Sequence, residues 1–348
     1  MDLQVKKERS EWIDLCKFIA IFYMVWGHAG VPNILDKYIH VFDMPIFFFL
    51  SGYLFNISRV KSFKWLLIKK IRTLLVPYFV FSISIYYFWF IAYKIVDSPI
   101  PHTQSTLFKA LFTFNTTISP FSAVQWFLTC LFLVEIIFYL IIKITKNSKI
   151  ILISVLVLFS LIGYFYGSSV GLRLYLGLDS AFTALVFYGI GYLFNNIKNC
   201  HIRSFIFSPS LFKIAILSIL SVVSTLLNGY VNIRTLQYGN YYLYYISSIT
   251  SIIMYIMIAI YICKIERVRN SKIYSKLIYV GRNTIVVLVL NQLYIKLLNY
   301  IAKDIPMING NAGSIVLSVT VIILMVPTAY LLNKYLPFTI GKKHEKAK

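Results

Sequence analysis

Twelve Asp and Glu in 348 residues leave few groups able to move protons, so those inside apolar runs matter most. The first run carries Asp14, Lys17 and His28. Lys17 and His28 are eleven residues apart; on a helix that is about 1,100° of rotation, within about 20° of one face, with a rise of roughly 16 Å. Asp14 lies one turn before Lys17, giving the stripe Asp14, Lys17, Ile21, Met24, His28. An imidazole exchanges protons near neutral pH, which makes His28 a candidate general base. The next run brings Asp43 in from the same side, at nearly the depth of His28. A carboxylate on one imidazole nitrogen fixes the tautomer and leaves the other nitrogen the better base. His40, three residues before Asp43, is a rival for that carboxylate. Lys17 also has a plainer reading, reaching to the interface or pairing with Asp14. Glu135, midway along a later run, is a candidate for neutralising Lys17 or holding a substrate, or else a structural hydrogen bond between helices.

A second group is cationic. The segment from Lys61 to Arg72, with Lys69, Lys70 and Arg72 at its end, mixes a lysine-rich face with aromatic and aliphatic residues and reads as an interfacial helix. It is either a lipid-headgroup anchor or a mouth that holds phosphates.

The elements that must place these groups follow from composition. Hydrophobic residues make up 59% of the chain and charged ones 13%, and mean hydropathy is +0.75. A soluble domain needs about a quarter of its residues charged to cover its surface, so most of this exterior faces hydrocarbon. The net charge of +22 does not indicate nucleic acid, because the basic residues fall in short clusters between apolar runs of spanning length. Four cysteines are scattered without a CxxC pair or a nearby histidine at ligand spacing, which argues against a zinc site and a disulfide framework.

Ten runs reach the roughly 20 residues a spanning helix needs or come close: Trp12 to Ala29, Tyr38 to Phe55, Leu74 to Ile95, Ala123 to Ile144, Ile150 to Tyr166, Leu178 to Phe194, Ile214 to Gly229, Tyr242 to Cys263, Tyr279 to Ile301 and Ser314 to Leu336. Alternate connections are rich in Lys and Arg, namely the N-terminus, 59–72, 143–149, 198–213, 264–282 and 342–348. An even number of crossings with both termini cytoplasmic satisfies every cluster. No small-x-small cleavage site follows the first run, which therefore stays as a helix. The expected fold is an all-α, polytopic transmembrane bundle of about ten spans, one membrane domain over residues 1–348 without an internal repeat.

Five local patterns stand in order along the chain. Ile13, Asp14 and Leu15 precede Lys17, and ten residues, the last of them Gly27, separate Lys17 from His28; then comes Phe42 to Leu54, with Met44, Pro45, Phe47, Phe48, Ser51, Gly52 and Tyr53. Arg72 with Leu75, Val76, Pro77 and Tyr78 is third, Trp126, Phe127 and Leu128 with Glu135 fourth, and Gly281, Arg282, Asn283 and Thr284 fifth. Together they resemble the integral-membrane acyltransferase family 3, the group that includes sugar O-acetylases of bacterial surface polysaccharides and is related to fucose 4-O-acetylases. Two positions depart from its pattern: Lys17 stands where many members carry Arg, and Asn291 where members often place His.

The resemblance implies an O-acyltransferase, a multi-pass protein of the bacterial plasma membrane. It implies transfer of acetyl or another acyl group from cytoplasmic acyl-CoA, with acetyl-CoA as donor and no metal, to a carbohydrate hydroxyl near the outer face. Its partners are then acyl-CoA, a carbohydrate acceptor and the lipid bilayer, and not nucleic acid. Lys69, Lys70 and Arg72 would hold the nucleotide phosphates, and the face from Lys17 to His28 spans about the reach of a pantetheine arm. His28 would act as base or carry a transient acyl-imidazole, with Asp43 orienting it and Asp14, Lys17 and Glu135 completing the site. The rival class is an exporter or flippase of a lipid-linked glycan, which commonly shows paired half-chain repeats; a membrane thiolesterase or lipid acyltransferase is a further alternative.

Overall fold

The computed structural model describes residues 11–95, 111, 124–146, 148–170, 173–197, 200–301 and 311–342. The sides expected for the two termini and for the loop Asp97 to Ser122 concern residues outside these. The described helices are α1 (Glu11–His28), α2 (Asn33–Leu54), α3 (Phe63–Ile95), α4 (Trp126–Ile144), α5 (Lys149–Ser169), α6 (Leu178–Asn195), α7 (Cys200–Phe207), α8 (Leu211–Leu227), α9 (Tyr241–Cys263), α10 (Glu266–Arg269), α11 (Lys272–Arg282), α12 (Thr284–Ile301) and α13 (Asn311–Tyr335). Among the described residues there is no β-strand, and each of the ten apolar runs holds a helix.

Seven helices are long and apolar enough to cross a membrane: α3, α4, α5, α6 with the turn before it, α9, α12 and α13. α8 is apolar but shorter, at 17 residues, and α1 and α2 span 18 and 22 residues while carrying the charges discussed above. Three boundaries differ from expectation. α2 begins at Asn33, directly after Pro32, so Asp36 and Lys37 lie inside it. The interfacial segment is continuous with the third run as one helix, passing through a π-turn at Ile71–Leu75. The ninth run is broken at Asn283 into the amphipathic α11 and the apolar α12.

Close approach of helices explains two of the sequence patterns. Gly52 of α2 faces the Tyr188 carbonyl and Gly191 of α6 faces the Phe49 carbonyl, so a methyl group at either would overlap backbone; small residues let helices pack this way where no aqueous driving force joins them. Pro45, inside α2, lacks the N–H that would bond the carbonyl of Val41. Ser248 of α9 supplies the replacement, its hydroxyl donating to Val41 O at 2.7 Å. Apolar side chains such as Ile151, Val157, Phe165, Ile219, Leu226 and Ile323 lie exposed on α5, α8 and α13, a surface suited to lipid.

Contacts gather the basic connections at one end of the bundle. Arg269 bonds Glu11 at 3.1 Å, Lys264 donates to Phe207 O at 3.1 Å, and Gly341 lies on the backbone of Arg72 and Thr73. At the other end Lys37 donates to the carbonyls of Leu226 and Asn228, Arg173 to that of Arg234, and Trp26 to Ser314 Oγ.

Candidate active site

At the basic end α11 packs on α1 through Gly281, whose lack of a side chain admits the Asp14 carbonyl. The next residue, Arg282, pairs with buried Asp14, Nε to Oδ2 at 2.9 Å. One turn further on, Lys17 lines a cavity of about 100 Å³ between α1, α2, α3, α4 and α12. Its polar lining is Lys17, Ser51 and Thr284; Ile21, Leu74, Phe47 and Phe127 are among the apolar walls. A cation and two hydroxyls in an apolar slot can meet a carbonyl or amide chain without needing a charge on it.

The three cations of the second group separate. Lys70 pairs with buried Glu135, Nζ to Oε2 at 2.6 Å; of the readings open for Glu135, this contact is a structural bond between helices, α4 to α3, and it leaves Lys70 less able to hold a phosphate. Lys69 is exposed with its ammonium over the Trp65 ring at 4.7 Å. Arg72 lies on the π-turn, and among the described residues its buried Nε has no hydrogen-bond partner. A π-turn inserts one residue and re-aims those beside it. Leu74, two residues on, is part of the cavity wall.

At the far end His28 closes α1 and is exposed there. Its electrostatic neighbours are His40, Arg234 and Asp36. Asp43 makes no hydrogen bond or ion pair to His28 among the described residues; its Oδ1 accepts from Met44 N at 2.7 Å. The histidine with a carboxylate is His40. Its Nδ1 lies 3.0 Å from Asp36 O and 3.3 Å from Asp36 Oδ1. Both oxygens are acceptors, so Nδ1 carries a proton. Asp36 and Asp43 both act on His40 electrostatically, and His40 acts on His28. Tyr230 packs on the His40 ring at 5.6 Å. In the loop between α8 and α9 burial, followed by the Arg173 guanidinium, lowers the pKa of Arg234, and burial raises that of Tyr230.

Asp36 and Arg282 were not assigned roles by sequence reasoning. Asp36 was discoverable, since four residues before His40 is one helical turn. Arg282 stood in a quoted pattern, but nothing local links it to Asp14, 268 residues away.

An all-helical bundle with apolar flanks and ionisable groups strung along its interior from one end to the other defines a multi-pass membrane protein with a polar interior path. Residues 10–334 match the model for the acyltransferase domain of acyltransferase family 3. The chain belongs to that family and is a membrane acyltransferase. No curated protein matches it.

Proposed function

We propose that the protein transfers an acetyl group from cytoplasmic acetyl-CoA to a sugar hydroxyl of a surface polysaccharide or lipid-linked glycan at the bacterial plasma membrane. All ten long helices cross, both termini are cytoplasmic, and the basic end faces the cytoplasm, in line with the Lys and Arg asymmetry. The observation that carries the reading is the cavity between the two ends: Leu74 ties it to the Arg72 turn, and Lys17 and Ile21 tie it to the helix that ends at His28. Arg72, with Lys69 beside it, meets the nucleotide phosphates. The pantetheine arm lies along the Lys17 face, and the thioester emerges at His28.

His28 accepts the proton of the acceptor hydroxyl as that oxygen attacks the thioester carbonyl. The C–S bond breaks, and the departing thiolate takes the proton back from the imidazolium. An acyl-imidazole on His28 followed by attack of the sugar is the two-step variant of the same transfer. Asp43 and Asp36 act on His28 through His40. Arg282 holds Asp14 and so keeps α1 in register with α11.

Mass spectrometry of surface glycans from cells with and without the gene tests this directly. Loss of the mass of one acetyl group per acceptor unit supports it, and unchanged acetylation together with unchanged glycan would remove the sugar acceptor. Purified protein in nanodiscs given labelled acetyl-CoA then separates donor use from acceptor identity.

A further inference from the structure

We propose that Pro337–Lys342 is a strap that positions the donor mouth, fixing the π-turn that carries Arg72; this rests on the donor reading above. After α13 the chain turns at Pro337–Ile340, and Pro337, Thr339 and Ile340 are buried there. The turn packs against α3. Gly341 follows with a φ of +73°, a left-handed conformation that glycine adopts without strain. A Cβ on it would come 2.6 Å from Thr73 Cα and 2.8 Å from Arg72 O. The strap therefore sits flat on the backbone of the π-turn, and only a glycine permits it.

The next residue ties the strap elsewhere. Lys342 Nζ donates to Asn283 Oδ1 at 2.9 Å and also to Asn333 Oδ1, while Asn333 Nδ2 donates to Asn283 Oδ1 at 2.9 Å. Asn283 is buried between Arg282, which holds Asp14, and Thr284, which lines the cavity. One short segment thus joins the Arg72 turn to the junction of α11 and α12.

The turn needs such support. A π-turn has poorer geometry than the α-helix around it and persists where tertiary contacts determine it. Among the described residues the buried Arg72 Nε has no hydrogen-bond partner, so the backbone from which the side chain leaves contributes to its direction. Gly341, Lys342 and Asn333 are positioning residues in this scheme and touch no substrate.

The test uses the full-length protein in nanodiscs, with Gly341→Ala, Lys342→Met, Lys342→Arg and Arg72→Ala. Gly341→Ala should raise the KM for acetyl-CoA about tenfold with kcat within about twofold, the pattern for lost contacts to a remote part of the substrate. Lys342→Met should move KM the same way by less, and Lys342→Arg should restore it. Hydrogen exchange at the amides of Thr73 to Leu75 should quicken in Gly341→Ala, a readout independent of activity. If Arg72→Ala raises KM while folded Gly341→Ala and Lys342→Met leave it unchanged, the strap is refuted and the donor reading stands. Unchanged KM in Arg72→Ala as well refutes both. If Gly341→Ala does not fold, Lys342→Met against Lys342→Arg decides alone.

Discussion

A histidine at the end of a helix is a good base only if something holds its ring and its proton in place. In α1 the helical spacing alone places Lys17 and His28 on one face, and that much was legible because it is local geometry. The carboxylate partners were not: Asp43 looked closest in depth to His28, yet its oxygen bonds the next backbone N–H, while Asp36 one turn before His40 takes the ring. His28→Ala should lower kcat by about 10² to 10⁴ with unchanged membrane insertion, since a base is lost and no large core volume is; wild-type rates in that variant would take His28 out of the chemistry. Asp36→Ala should lower kcat by about tenfold, its KM for acetyl-CoA unchanged, because it contacts His40 at the end with His28 and lies far from the Arg72 turn where the donor is proposed to enter. A KM effect without a kcat effect in Asp36→Ala would assign that carboxylate to binding instead. The ion pairs Asp14 with Arg282 and Glu135 with Lys70 were illegible for a different reason, as each joins helices whose neighbourhood is set only by packing.

Helices emerged from the sequence more readily than their joints, because an apolar run announces itself by composition while a break depends on one or two backbone bonds. The third run shows this: its charged beginning reads as a separate surface helix, but Ser62 caps it through Trp65 N at 3.1 Å and the π-turn carries it on unbroken to Ile95. α2 shows the reverse case, a proline in mid-helix that does not end it. The Val41 carbonyl freed by Pro45 would lack a partner in an apolar interior, and Ser248 is that partner. Ser248→Ala should therefore destabilise the protein by about 1 kcal/mol, read as a lower midpoint of thermal unfolding in detergent. Adding Pro45→Ala should recover most of the loss, since alanine returns the N–H to Val41 O. If the double variant is no more stable than Ser248→Ala, the hydroxyl is not serving that carbonyl.

On the scale of the whole molecule, α1 and α2 fall short of the hydropathy of the seven helices long and apolar enough to cross a membrane, because they hold charged residues such as Asp14, Lys17, Asp36 and Asp43. The charges that lower their hydropathy are the charges that make them a candidate site. Direction of transfer then depends on which end of the bundle faces the cytoplasm. The two ends are chemically distinct: Lys264, Arg269, Lys272 and Arg282 lie toward the end with Arg72, whereas Thr235 belongs to the loop beside His40 and Tyr230 at the end with His28. Basic clusters stay on the cytoplasmic side of short loops, so in a background with the native cysteines replaced, exposed Thr235→Cys should react with an impermeant maleimide added to intact cells. Exposed Lys272→Cys should react only after the membrane is opened. The reverse pattern would place Arg72 outside and His28 inside, where no cytoplasmic acyl-CoA could reach the basic mouth first. Labelling of both positions from outside would mean an even number of crossings between Thr235 and Lys272, and α9, the long helix joining them, would have to be read as lying outside the ladder of spans.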